Sequence, residues 1–196
     1  MAQTLAVEYD STKFHLQAIN ILLQVIGQIP VATEDELINI LEAQIASSVL
    51  LETKKEVLSD EWDFNRDVDY EFAPDTDGYI SIPANILDIY DTRADLIMRD
   101  WRLYSKKNQS ALFTEAQVMN VVWDVDFNGL THPLRNYITI RAARRFQARQ
   151  VMDTNVYSYT VQDEETAYQI ARRSEGKTGR FNMLTSGTFG GTVGTR

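Results

Sequence analysis

The chain has 196 residues, no cysteine, two histidines and a net charge of −9. That length suits one domain, or one domain with a subdomain, with a core that buries about 70 % of the unfolded surface. The missing cysteines exclude disulfides, thiolate metal sites and thiol nucleophiles, and His15 and His132 leave little for a zinc or acid–base centre. No apolar run approaches the ~20 residues of a membrane span. The opening MAQTLAVEYD has neither the basic region nor the apolar core of an export signal, so synthesis in a reducing cytoplasm is expected. The charge is uneven. Residues 1–133 carry 9 Lys+Arg against 23 Asp+Glu, and residues 134–196 carry 10 against 5. Such halves can bind each other, a neighbouring copy or another partner, and an acidic chain is a poor grip for nucleic acid.

Asp10 or Ser11 is the expected cap of a first helix. From Phe14 to Leu58 the pattern predicts a hairpin of two amphipathic helices. Ile19, Leu22, Leu23 and Ile26 share one face by their spacing, Gly27 ends the helix and Pro30 blocks its continuation. Thr33 and Glu36 form a capping box, and Leu37, Leu41, Ile45 and Val49 mark the buried face of the second helix. At Trp62 the period changes. Trp62, Phe64, Arg66, Val68, Tyr70 and Phe72 alternate as in a half-buried strand. Asp75 to Gly78 is a turn. Short strands are expected at Tyr79–Ile82 and Leu87–Tyr90, a β-favouring run at Leu96–Tyr104, and a strand from Val118 to Phe127 with Asn128-Gly129 as its turn.

Pro133 opens a long helix whose apolar residues point several ways, while Arg141, Arg145 and Arg149 stack at four-residue spacing. A last helix from about Val161 to Ser174 begins acidic and ends basic, in keeping with the helix dipole, and Gly176 and Gly179 stop it. The terminal stretch is rich in Gly, Ser and Thr, yet it holds Phe181, Met183, Leu184 and Phe189, which suit a tail that docks. The expected fold is α+β. A helix bundle is built from both ends of the chain (residues 1–60 and 131–178), with an inserted antiparallel, sandwich-like β subdomain (61–130) and an extended C-terminal tail (179–196).

No motif points to catalysis. Gly176-Lys177-Thr178 lacks the earlier glycine and preceding strand of a phosphate loop and reads as a helix end. Asp75 and Asp77 lack the further ligands of a calcium loop. The carboxylates Asp60, Glu61, Asp63, Asp67, Asp69 and Glu71 alternate with apolar residues and read as the solvent face of a strand. No catalytic residue, metal ligand or cofactor site is assigned. The arginine stripe is either a solvated face paired with the acidic half or a subunit interface, where arginine is enriched.

An ordered set of short motifs carries a family resemblance. IGQIPV (Ile26–Val31) follows the first helix, with Gln28-Ile29 where the family has Glu-Pro. Then come Trp62-Asp63-Phe64-Asn65, Ile80–Pro83, the helix Tyr137–Phe146, the acidic-to-basic QDEETAYQIARR and Phe181–Leu184. In this order they resemble the tail tubular protein A family, the head-to-tail adaptors of T7-like short-tailed bacteriophages. The resemblance implies a structural, non-enzymatic virion protein. It implies a dodecameric ring at the head–tail junction, joining the portal protein to the nozzle (tail tubular protein B), near the tail fibres. Genomic double-stranded DNA passes through the bore without sequence-specific binding, and no membrane or cofactor is involved. On this reading Phe181, Met183, Leu184 and Phe189 dock on the portal or a neighbouring copy, and Arg141, Arg145 and Arg149 lie between subunits. The alternatives are a tail-associated glycan hydrolase using Asp63 or Asp67, and a connector of another tail type.

Overall fold

The computed structural model describes residues 13–91, 95–150 and 159–178. Its helices are α1 (Phe14–Val25), α2 (Glu34–Leu37), α3 (Leu41–Leu58), α4 (His132–Gln150) and α5 (Val161–Thr178). Between α3 and α4 lie β1 (Arg66–Phe72), β2 (Ile86–Tyr90), β3 (Leu96–Arg99), β4 (Arg102–Ser105) and β5 (Gln117–Trp123). The fold is α+β, as expected.

The first helix ends as its sequence requires. Gly27 takes a φ of +76°, its N–H donates to Gln24 O, and the N–H of Gln28 donates to Leu23 O. This double closure satisfies two helix-end carbonyls at a position that favours glycine. Asn20 then pins the following loop, donating to Val31 O at 2.9 Å and accepting from Val31 N at 2.8 Å. The expected second helix is divided. The capping box closes only the single turn of α2, with Thr33 Oγ1 accepting from Glu36 N. Glu36 accepts from the N–H of Ala32 rather than Thr33. The chain breaks at Ile38–Ile40 and α3 starts afresh. Its buried face is Ala43, Ala46, Val49, Leu50, Thr53, Lys54, Val57 and Leu58, and Leu41 is exposed. The four-residue apolar spacing continued across a break where one-turn geometry resets the phase. The expected cap of α1, Asp10 or Ser11, lies outside the described residues.

α4 packs against α1, α3 and α5. Leu134, Tyr137, Ile138, Ile140, Ala142, Ala143 and Phe146 are buried along it. That explains apolar residues pointing several ways. α5 runs through Gly176 to Thr178 rather than stopping near Ser174, because a helix interior tolerates one glycine at a cost of about 1 kcal/mol. Its start is closed reciprocally: Thr160 N donates to Asp163 Oδ2, and Asp163 N to Thr160 Oγ1. The Gly176–Thr178 stretch is helical, as the helix-end reading requires.

β5 is the centre of an antiparallel sheet ordered β1-β5-β2, and β3 pairs with β4 in a separate hairpin. The two share one apolar cluster of Phe72, Ile80, Ile82, Ile86, Ile89, Leu96, Leu103, Met119 and Val121. Tyr79 and Ser81 form isolated bridges to Leu112 and Arg102 instead of a strand. The period-two reading of Trp62–Phe72 does not hold. β1 starts at Arg66, its register with β5 shifts between Asp67 and Tyr70, and Asp69 has a φ of +58°. The bulge takes Val68 and Tyr70 into solvent and leaves only Phe72 buried. β5 stops at Trp123, four residues before Phe127. Phe127–Gly129 is a 3-10 turn capped by Asp126, whose carboxylate accepts from Asn128 N at 2.8 Å.

Two links tie the strands to the helices. Asn65 is buried; it accepts from Trp62 N and donates to Leu58 O and Trp123 O, while Trp123 N donates to its carbonyl. Lys54, on α3, lies 2.6 Å from Asp124 and donates to Val125 O at 3.1 Å.

Candidate assembly surface

The three arginines of α4 run along its contact with α3. Arg141 and Arg145 both pair with Glu56, and Arg149 holds Glu52 with two bonds of 2.9 and 3.0 Å. Antiparallel packing makes this ladder: one step of four up α4 meets one step of four down α3. On the other side Arg144 reaches Glu164 of α5 at 2.5 Å, and Arg141 lies 3.8 Å from it. The stripe thus joins three helices within the chain. Arg149 is its most open rung, with half of its side chain exposed.

These pairs set a pH dependence. The hydrogen bond from Arg145 holds the Glu56 carboxyl below the usual carboxylate range, and Arg149 does the same for Glu52. A carboxyl that ionises more readily when folded stabilises fully above its unfolded pKa. It loses that contribution as pH falls through the folded value. Thermal melts from pH 7 to pH 3 should show a decline that E52Q/E56Q flattens. E56Q alone should cost about 1 kcal/mol or less at pH 7, because the pair is half in water. An unchanged pH profile in the double variant would reject the ladder.

At the lower end of the bundle an aromatic cluster closes the α4–α5 seam. Trp62 stands 6.4 Å from Tyr137 and 6.2 Å from Tyr168, ring to ring. The Arg172 guanidinium covers the Trp62 ring at 3.8 Å and bonds Tyr168 and Glu175. Burial pushes the Tyr137 phenol up, against the hydrogen bond it accepts from Arg141.

Beside this cluster runs a groove of about 440 Å³ lined by Trp62, Phe64, Val68, Leu134, Ala171 and Glu175, among others. Phe64 and Val68 are exposed there. A second apolar stretch, Ile38 and Leu41, is exposed around the break before α3. A third sits at the β3–β4 tip, where Asp100 and Trp101 both take positive φ and Trp101 and Met98 are exposed. Two-residue turns of that hand favour Asn and Gly. A tryptophan in one spends conformational energy on presenting an apolar ring.

The acidic strand is a solvent face, as its residues suggest. Asp63 pairs with Arg66, and Asp67 accepts from Trp123 Nε1 at 2.8 Å. Among the described residues no group of His, Asp and Glu could hold a metal ion, and no helix is long and apolar enough to cross a membrane. Phe181, Met183, Leu184 and Phe189 lie outside the described residues. The groove was missed by sequence reasoning. Its signal was the Trp62–Asn65 motif, in which Trp62 and Asn65 are buried and Phe64 faces outward.

Residues 16–181 match the family model for the tail tubular protein. The chain belongs to the tail tubular protein family. A curated relative, tail tubular protein A of Klebsiella phage KP34, is 27 % identical over 172 residues, covering 85 % of this chain and 89 % of the relative. The resemblance carried by the ordered motifs is therefore right: this is a structural protein of the bacteriophage tail.

Proposed function

We propose that this tail tubular protein is the head-to-tail adaptor of its virion, a dodecameric ring that joins the portal to the nozzle. The observation that carries this reading is the match over residues 16–181, together with a relative named tail tubular protein A. Genomic DNA passes through the bore without sequence-specific contacts, and tail fibres attach at the rim. The chain has no catalytic role.

Ring neighbours meet through two different surfaces of one chain. The acidic N-terminal two thirds and the basic C-terminal third supply complementary charge for such a contact. Arg141 and Arg145 brace α3 against α4, and Arg149 is the rung open enough to reach a neighbour's carboxylate as well. The bundle (residues 1–60 and 131–178) and the tail (179–196) face the portal and the neighbouring copy, with Phe181, Met183, Leu184 and Phe189 as apolar anchors. The β insertion (61–130) faces the nozzle and fibres, with Trp101 at its tip.

Native mass spectrometry of the chain with and without its cognate portal ring tests this. A complex with one fixed ratio of chains to portal subunits is expected. A chain that never joins the portal would overturn the reading.

A further inference from the structure

We propose that in the free chain the groove beside Trp62 is covered by the chain's own segment Phe181–Leu184. The groove is walled by Trp62, Phe64, Val68 and Leu134 on one side and by Ala171, Ser174 and Glu175 of α5 on the other. α5 ends at Thr178. At a helical rise of ~1.5 Å per residue, that end lies only ~4.5 Å along the axis beyond Glu175. Phe181 follows three residues later, a reach of ~10 Å when extended. The chain's own tail therefore arrives at the groove without spanning any gap, whereas another copy's tail must be brought there. Gly179 is the next residue, and a glycine there meets no steric cost in a reversal toward the groove.

The chemistry agrees with the reach. Phe181-Asn-Met-Leu184 places three apolar side chains in four residues, and the groove offers the exposed Phe64 and Val68 above a floor of Trp62, Leu134 and Ala171. One consequence rests on the adaptor reading above. Phe181, Met183 and Leu184 cannot hold the portal or a neighbour while they lie in their own groove. The tail is stored until a ring partner displaces it.

The absence of native cysteine makes the test direct. The full chain carrying V68C/N182C is treated with a short, reducible thiol cross-linker at low concentration; Asn182 lies within the segment but is not one of its apolar anchors. Circular dichroism checks its fold; Val68 is exposed, so its substitution leaves the core intact. The expected product is a link within one chain, with a yield that does not change on dilution. Adding F181S/L184S should reduce that yield several-fold. A link found only between two chains would overturn the proposal. So would no link while both thiols still take up a monofunctional maleimide.

The portal ring then separates the two readings. The linked chain should fail to add to the ring and recover when the linker is reduced. If the linked chain adds as well as the reduced one, storage is rejected and the adaptor role stands. If the link forms but neither form adds, the adaptor role fails and the groove contact stands.

Discussion

Replacing Trp62 with alanine is expected to lower the unfolding free energy by about 3–5 kcal/mol, the range for deleting a large buried aromatic. Trp62 is 2 % exposed and its Nε1 donates to Val57 O at 2.7 Å. Its removal opens a cavity among Tyr137, Tyr168 and Leu134, and takes the ring from under the Arg172 guanidinium. The surroundings cannot collapse readily, because Asn65 fixes the backbone on one side and α5 stands on the other. W62F should cost much less. It keeps most of the packing, and the carbonyl that loses the indole still accepts from Asp60 N. Urea unfolding followed by circular dichroism checks both. A W62A loss below about 1 kcal/mol would mean that the α4–α5 seam closes without this ring.

The second large effect is expected at Lys54 and Asp124. Their side chains are 8 % and 17 % exposed and 2.6 Å apart. D124A leaves an ammonium buried with only the Val125 carbonyl for company, and should cost about 3–5 kcal/mol. Burying two charges is itself expensive, so the apolar double variant K54M/D124L should recover most of that loss. A double-mutant cycle by urea unfolding measures the coupling. Additive effects of the two single substitutions would show that the pair does not act as one unit. Hydrogen exchange should place the D124A damage at the junction of α3 with the end of β5, where the bond to Val125 lies.

What the sequence made legible was set by local chemistry. Gly27, the acidic first turn of α2 and the breadth of α4 each follow from side chains acting within a few residues, and each was readable. The division of the second helix was not. Leu37, Leu41, Ile45 and Val49 keep helical spacing through Ile38–Ile40, so no periodicity marks the break. The packing that fixes α3 selects its alanine face, Ala43 and Ala46, over the larger Leu41. The strand beginning at Trp62 failed for a related reason. Trp62 and Phe72 are both buried, but in different clusters, and a bulge at Asp69 lies between them. Alternation cannot report which core a residue enters. The arginine stripe was legible as a row, and its partners Glu52 and Glu56 became visible only when α3 was laid antiparallel to α4. The groove depends on three separated stretches meeting, which no local pattern announces.

The clasp at Asn65 has an evolutionary consequence. The chain leaves the helices at Asn65 and returns at Trp123, and these two residues are hydrogen-bonded to each other in both directions. The two ends of the β1–β5 stretch are therefore held side by side. A stretch attached in this way can be exchanged for another by recombination without disturbing the helices, provided the incoming piece preserves the asparagine, the antiparallel ends and the apolar surface that Val68 and Leu87 turn toward the helices.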